Sequence, residues 1–500
     1  MVRSIRVLLL VALCSCAHER GPVAQPVAGK LLLRGVTVVD TRDGALTADQ
    51  DVFMDAGRIV SVGPDSGIAP DASVQVVEGH GRFVVPGYLD MHAHPLGPED
   101  PSGSLTLMLA NGITGFRQMQ GSPALLAQRR AGTLPIGRVA PQLLAMPGSL
   151  LTPLNAGSPE EALATIREQK ADGADFIKVA ITSGPVFIAA LGEAQRQGIP
   201  IVGHVPRDVS VTAASEGGMR SIEHLGPDDG ILVACSSDEA GLRDEIAKLP
   251  VIKGPPFKIP FLDKLMASRF NEKVINPIAE ADPAAVARMQ HAIDTYSEEK
   301  CRQVAAGFVA HETWQVPTLI RLRTTEMCDA PEYRSDPNLR FVSPGTVHSW
   351  TEVTETFAKH HSPAAKQTIH DLYPRQLALV KLLDQAGVKM MTGTDLGGGW
   401  VIPGFSLHQE FDELEKAGLA PLKVLQMTTR NGAEFLGRTS TMGRVAPGVN
   451  ADLVLLDADP IQSVQNLHRI GGVVRAGFYY SNADLEALKS RLRAEDGGLP

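Results

Sequence analysis

The sequence predicts an α/β chain: a (β/α)8 TIM barrel carrying a small β-sandwich domain formed by both chain ends. Three observations predict it. The middle of the chain alternates apolar runs with helical stretches, the rhythm of parallel β/α units. Eight such runs can be counted, the number a closed barrel needs. Both ends instead carry short β-branched runs broken by Gly, Asp and Pro, the texture of small antiparallel sheets. Five hundred residues, 44% hydrophobic and 21% charged, suffice for one large domain and a smaller one.

At the start, Arg3 and Arg6 precede an apolar run ending at Leu13, with Cys14, Ser15, Cys16 and Ala17 behind it. This is a signal-peptide pattern over residues 1–16, and its apolar run is far shorter than the roughly 20 residues a membrane-spanning helix needs. Leu13-Cys14-Ser15-Cys16 resembles a bacterial lipobox, which makes Cys16 the expected lipid anchor, with cleavage after Ala17 as the alternative. Residues 17–30 then form a polar tether. The expected location is outside the bacterial cytoplasm, in the periplasm or as a lipoprotein at the outer membrane. The net charge of −9 becomes more negative once the leader's two arginines are removed. Such a body argues against nucleic acid as a partner, and leaves a membrane only the anchor at Cys16; a homo-oligomer stays open. Past the leader only Cys235, Cys301 and Cys328 remain, able to form at most one bridge and no thiolate zinc site.

Next come the β-branched runs at 36–40, 52–54, 58–62 and 74–77, matched near the far end by 452–457 and 470–475. Residues 31–84 and 443–480 are therefore expected to complete one β-domain. Between them, 85–442 is expected to form the barrel, with strands at 83–89, 113–116, 139–145, 176–180, 199–202, 219–222, 315–319 and 388–392. Ser158-Pro159-Glu160-Glu161 is a good helix start, and the helical stretch 185–197 stops at Gly198. Residues 228–308 are too long for a simple connection and read as an insertion, a candidate lid.

The chemistry sits at the ends of these strands. His92-Ala93-His94 closes the first, and a spacing of two places both imidazoles on one face. Neutral imidazole suits zinc and related divalent metals. Alone the pair says little. However, Lys178, His204, His224 and Asp395 each end a further apolar run, and a closed barrel would bring all of them to one mouth. Glu223, beside His224, is expected to point to the opposite face. Arg207, Arg321 and Arg323 are expected as solvated rim residues that could pair with a substrate carboxylate.

From about 31 to 475 the chain resembles the amidohydrolase superfamily, in its two-metal form with a lysine on the fourth strand. Thr429-Arg-Asn431-Gly-Ala433, Gly443-Arg-Val-Ala-Pro-Gly448 and Ala451-Asp-Leu-Val454 carry the rest of the likeness. The resemblance implies that Lys178 is carboxylated and bridges two divalent ions, zinc foremost. It assigns His92, His94 and Asp395 to the first ion, His204 and His224 to the second, and to Asp395 the role of proton carrier. It implies attack by hydroxide held between the ions.

Asp172-Gly-Ala-Asp-Phe-Ile-Lys178, Ser221-Ile-Glu-His224 and Gln315-Val-Pro-Thr-Leu319 look most like the imidazolonepropionase-related group with its Xaa-Pro dipeptidases. That implies a small N-acyl amino acid or dipeptide as substrate. Two departures stand out: 145–153 lacks the group's third-strand His, and Ser183-Gly184-Pro185 replaces its Ser-Gly-Gly. Cyclic-amide hydrolysis is the alternative. A deaminase is disfavoured because Arg207 stands where such enzymes place a Glu, and a non-catalytic scaffold is disfavoured by the full ligand set. The Gly397–Gly399 run is read as room for a substrate to approach or as a mere turn.

Overall fold

In a computed structural model, residues 29–64, 73–98, 100–227, 230–250 and 271–492 are described. The leader, Cys16 and most of the tether lie outside them. Fifteen strands are β1 (Lys30–Val39), β2 (Leu46–Asp55), β3 (Arg58–Gly63), β4 (Val74–Glu78), β5 (Phe83–Pro86), β6 (Tyr88–Ala93), β7 (Ile113–Gln118), β8 (Gln142–Ala145), β9 (Ile177–Val179), β10 (Ile201–Gly203), β11 (Ser221–Glu223), β12 (Trp314–Val316), β13 (Leu453–Leu456), β14 (Ile470–Arg475) and β15 (Phe478–Ser481).

Both chain ends enter one eight-stranded sheet of order β15-β14-β13-β5-β1-β2-β3, with β4 also on β1. It is mixed rather than antiparallel throughout, because β1 runs parallel to β4 along its first half and to β5 along its second. Register shifts between Leu33 and Val36 and between Val36 and Val38 mark the bulge where it changes partner. One apolar core, including Leu31, Leu33, Val52, Met54, Val84, Leu453, Leu455 and Val474, joins residues from both ends.

The middle of the chain holds two parallel sheets, β6-β7-β8 and β9-β10-β11-β12. The parallel bridge Leu151↔Val179 joins the stretch after β8 to β9, while Gln315↔Met390 and Ala93↔Leu396 join β12 and β6 through the segment 390–396. The run expected at 83–89 is divided. Its first half, β5, stays in the mixed sheet; its second half begins β6. The break falls at Gly87, where a Cβ would stand 2.0 Å from Oγ1 of Thr114, so a larger residue has no room. The run expected at 315–319 ends early because Leu319 opens the helix Leu319–Glu326.

Residues 388–392 form no ladder, only the bridge at Met390. Their polar groups are met in other ways: Thr392 N donates to the Met427 carbonyl, while the carboxylate of Asp90 accepts from both Thr394 N and Thr394 Oγ1. Between β11 and β12 lie the helices Gly230–Ala234, Glu239–Ala247, Pro283–Asp294 and Glu298–Ala310, stapled by a disulfide between Cys235 and Cys301. A second helical mass, which the sequence reading passed over, follows β12 and includes Pro344–His360 and Pro363–Gln385. Among the described residues no helix is long and apolar enough to cross a membrane.

One buried acid tests this packing. Glu410 lies fully buried in the helix Phe405–Lys416, its Oε2 accepting from Ile320 N at 2.7 Å and its Oε1 unpartnered. Burial pushes its carboxyl well above the usual range, so the native state prefers it protonated. That preference supports folding fully below the unfolded-state pKa near 4.3 and is lost as pH rises toward the folded value. Glu410→Gln should therefore raise the thermal midpoint at pH 8 and raise it less at pH 5. Equal shifts at both pH values would count against a buried, protonated Glu410.

Candidate metal centre

The six side chains singled out by the sequence meet at the C-terminal ends of the parallel strands. His92 is wholly buried at the end of β6, with Nε2 3.2 Å from Oδ1 of Asp395 and 3.5 Å from Nζ of Lys178. His94, just past β6, places Nε2 3.1 Å from the same Oδ1. His204 and His224 follow β10 and β11 directly, their rings 5.3 Å apart, and His224 lies 4.5 Å from His92 ring to ring. His92, His224 and Asp395 offer ligand atoms that all fall within 4.8 Å of one another. This grouping crosses the division implied by resemblance, because His224 sits as close to Asp395 and His92 as to His204.

Each ring is oriented from behind. His204 Nδ1 faces the Ala180 carbonyl at 3.0 Å. His224 Nδ1 lies 2.7 Å from the Thr318 hydroxyl, whose own proton goes to the Pro317 carbonyl. His92 Nδ1 lies 2.7 Å from Oε2 of Glu223. In all three cases an oxygen partner engages Nδ1, an arrangement that suits metal ligation through Nε2. Burial, reinforced by neighbouring cationic groups, brings His204 down to about 3 and His224 well below the usual imidazole range, so both are neutral. Burial alone would raise Asp395, but the imidazoles of His224, His92 and His94 hold it well below the ordinary carboxylate range. Lys178, 3% exposed in β9, is lowered to about 8 by burial. Four imidazoles gathered around an ionised carboxylate form a donor set that fits divalent cations.

Three expectations need correction. Glu223 does not face away from His224. The chain enters the left-handed region at His224, φ +57, so strand alternation stops there and both side chains turn to the centre. Glu223 is fully buried, accepting from His92, from Arg117 Nη2 at 2.9 Å and from Ser221 Oγ at 2.6 Å. Arg321 is not a solvated rim residue; it is buried with Nε 3.2 Å from Oδ2 of Asp395. Gly397–Gly399 makes room for protein instead of substrate, since a Cβ on Gly398 would meet Arg321 at 2.6 Å and one on Gly399 would meet Ile275 at 2.9 Å. Arg207 donates to the Pro250 carbonyl, and Arg323 pairs with Glu332. Sequence reading missed Arg117 altogether. Its signal was a lone cation inside the apolar strand β7.

Residues 279–484 match the model of the Amidohydrolase family. A dihydroorotase of Pelotomaculum thermopropionicum is 25% identical over 448 residues, 86% of this chain and 89% of that one. An adenine deaminase of Paracoccus denitrificans is 35% identical, but over 85 residues, so this chain spans only 14% of its length. Among solved structures, bottromycin amidohydrolase superposes with a TM-score of 0.65 at 23% identity, covering 93% of this chain and 90% of its own. A Xaa-Pro dipeptidase with methionine bound gives 0.58 at 16%, covering 90% and 100%. These structural likenesses show a shared fold.

Glu223→Gln keeps the shape of the side chain but weakens its grip on His92. Zinc affinity, read by competition with a chromophoric chelator, should fall about 10- to 100-fold. Unchanged affinity in a protein of native circular dichroism would remove Glu223 from the centre's support.

Proposed function

We propose that the chain, whose residues 279–484 match the Amidohydrolase family, is a metal-dependent hydrolase of carbon–nitrogen bonds, cleaving the amide of a small N-acyl amino acid or dipeptide. The observation that carries this is the convergence of three imidazoles on the carboxylate of Asp395, with Nε2 of His92, His94 and His224 at 3.2, 3.1 and 4.0 Å from its oxygens. In this reading the parallel segments from β6 to 390–396 are a closed (β/α)8 barrel, residues 85–442, with 31–84 and 443–480 as the composite β-domain.

His92, His94 and Asp395 would hold one cation and His204 and His224 a second, zinc foremost, with a carboxylated Lys178 between them. Two bound cations supply an acidified water and a polarised substrate carbonyl. Burial of Lys178 raises the share of neutral amine, which takes up carbon dioxide by forming an N–C bond and releasing a proton. Asp395 accepts the proton of the attacking water on its carboxylate and delivers it to the departing nitrogen. Arg117 and Glu223 keep His92 in place throughout.

A second reading, hydrolysis of a cyclic amide, is favoured by one observation: the alignment with a dihydroorotase runs over 448 residues. Export, with Cys16 lipidated, belongs to the proposal as well. The Cys235–Cys301 bond supports it, since disulfides persist in oxidising compartments.

Lys178→Ala should lose bound metal and most activity, and a short-chain carboxylic acid should restore part of both; full activity without the lysine would rule out the bridge. Asp395→Asn should cut turnover by about 10²-fold or more. Substrate class is settled by assaying Xaa-Pro and other dipeptides, N-acyl amino acids and dihydroorotate with zinc and bicarbonate present. Turnover of dihydroorotate alone would replace the first reading with the second.

A further inference from the structure

The ligand set does not require the buried guanidinium of Arg321, yet all three of its nitrogens are engaged. Nε donates to Oδ2 of Asp395 at 3.2 Å, Nη1 to the Ile275 carbonyl at 2.9 Å, and Nη2 to the Val274 carbonyl at 2.6 Å. A guanidinium is planar and its donor directions are fixed, so one carboxylate and two backbone carbonyls share a single rigid plate. Asp395 meanwhile divides its oxygens: Oδ1 faces His92 and His94, and Oδ2 faces Arg321.

The carbonyls belong to the stretch 274–278, contributed by the insertion between β11 and β12. That stretch is tied down at further points. Gly399 N donates to the Ile275 carbonyl at 3.1 Å, Asn276 Nδ2 to the Thr325 carbonyl at 2.9 Å, and His361 Nε2 meets the Ile278 carbonyl at 3.0 Å. A strap from the insertion thus runs one guanidinium's width from Asp395.

We propose that Arg321 is a positioning residue that couples this strap to Asp395. With the strap seated, the guanidinium fixes the plane of the carboxylate so that Oδ1 meets the ligand imidazoles. With the strap lifted, Arg321 loses two of its three acceptors and Asp395 loses its fixed orientation. The effect on turnover rests on the hydrolase reading above; the mechanical coupling rests on packing alone.

Hydrogen–deuterium exchange of peptides covering 272–280 and 394–402 tests the coupling, with zinc affinity and steady-state kinetics alongside. In Arg321→Met, exchange of both peptides should quicken by about tenfold or more. Its kcat should fall by about 10²-fold while KM changes little, the pattern of a misplaced group. Arg321→Lys keeps a point charge for Asp395 but cannot serve two carbonyls, so it should recover part of kcat while the 272–280 peptide still exchanges fast. Gly398→Ala crowds the guanidinium without altering its charge and should reproduce both effects.

Wild-type exchange in Arg321→Met would overturn the coupling, as would acceleration spread evenly over the chain. Full kcat with a loosened strap would overturn the positioning of Asp395. Should none of the assayed compounds be turned over, the function proposed above fails, while exchange and zinc affinity still decide whether strap and centre are linked.

Discussion

A chain of three side chains, Arg117–Glu223–His92, fixes the most deeply buried imidazole of the candidate metal centre. Arg117 and Glu223 are both entirely out of water, where an unpaired charge would cost several kcal/mol. Each is affordable only because the other is there, with Ser221 and the Met91 carbonyl taking up remaining donors and acceptors. The chain also ties β7, β11 and β6 together across the interior. The contact made by His92 Nδ1 therefore also helps hold these three strands together.

Where functional side chains leave their strands, the backbone turns left-handed at residues other than glycine: His224 at φ +57, Thr318 at φ +47 and Asp395 at φ +53. Such conformations cost on the order of 1–3 kcal/mol each and persist only when their surroundings fix them. Here the surroundings are visible. Asp395 N is held by the His92 carbonyl at 2.7 Å, and Thr318 is locked between His224 and Pro317. The irregular eighth segment follows from the same need, because a regular ladder would have carried Asp395 onward in extended form.

Much of this was legible in the sequence. Parallel strands announce themselves as apolar runs buried on both sides, and the runs ending at Lys178, His204 and His224 could be located within a few residues. Lys178, the four histidines and Asp395 were readable because such polar residues are rare at the end of an apolar run. What stayed hidden was everything that depends on a break in periodicity. Glu223 was assigned to the wrong face because alternation was assumed to continue through His224. Arg321 looked solvated because the strap that buries it is distant in sequence, and the division at Gly87 depends on Thr114 leaving no room for even a methyl group there.

The sheet shared by the two chain ends sets the order of events in the life of the molecule. Tyr88 bonds to a carbonyl 379 residues later, and Thr41 to one 402 residues later. The first strands to leave the ribosome thus cannot complete their core until almost the last have been made, and contacts so distant close slowly. Until then the apolar faces of β1 and β5 stand open. A chain cut short before β13 would lose far more than its tail: it would leave its own beginning unsealed, with strand edges ready to pair with another molecule.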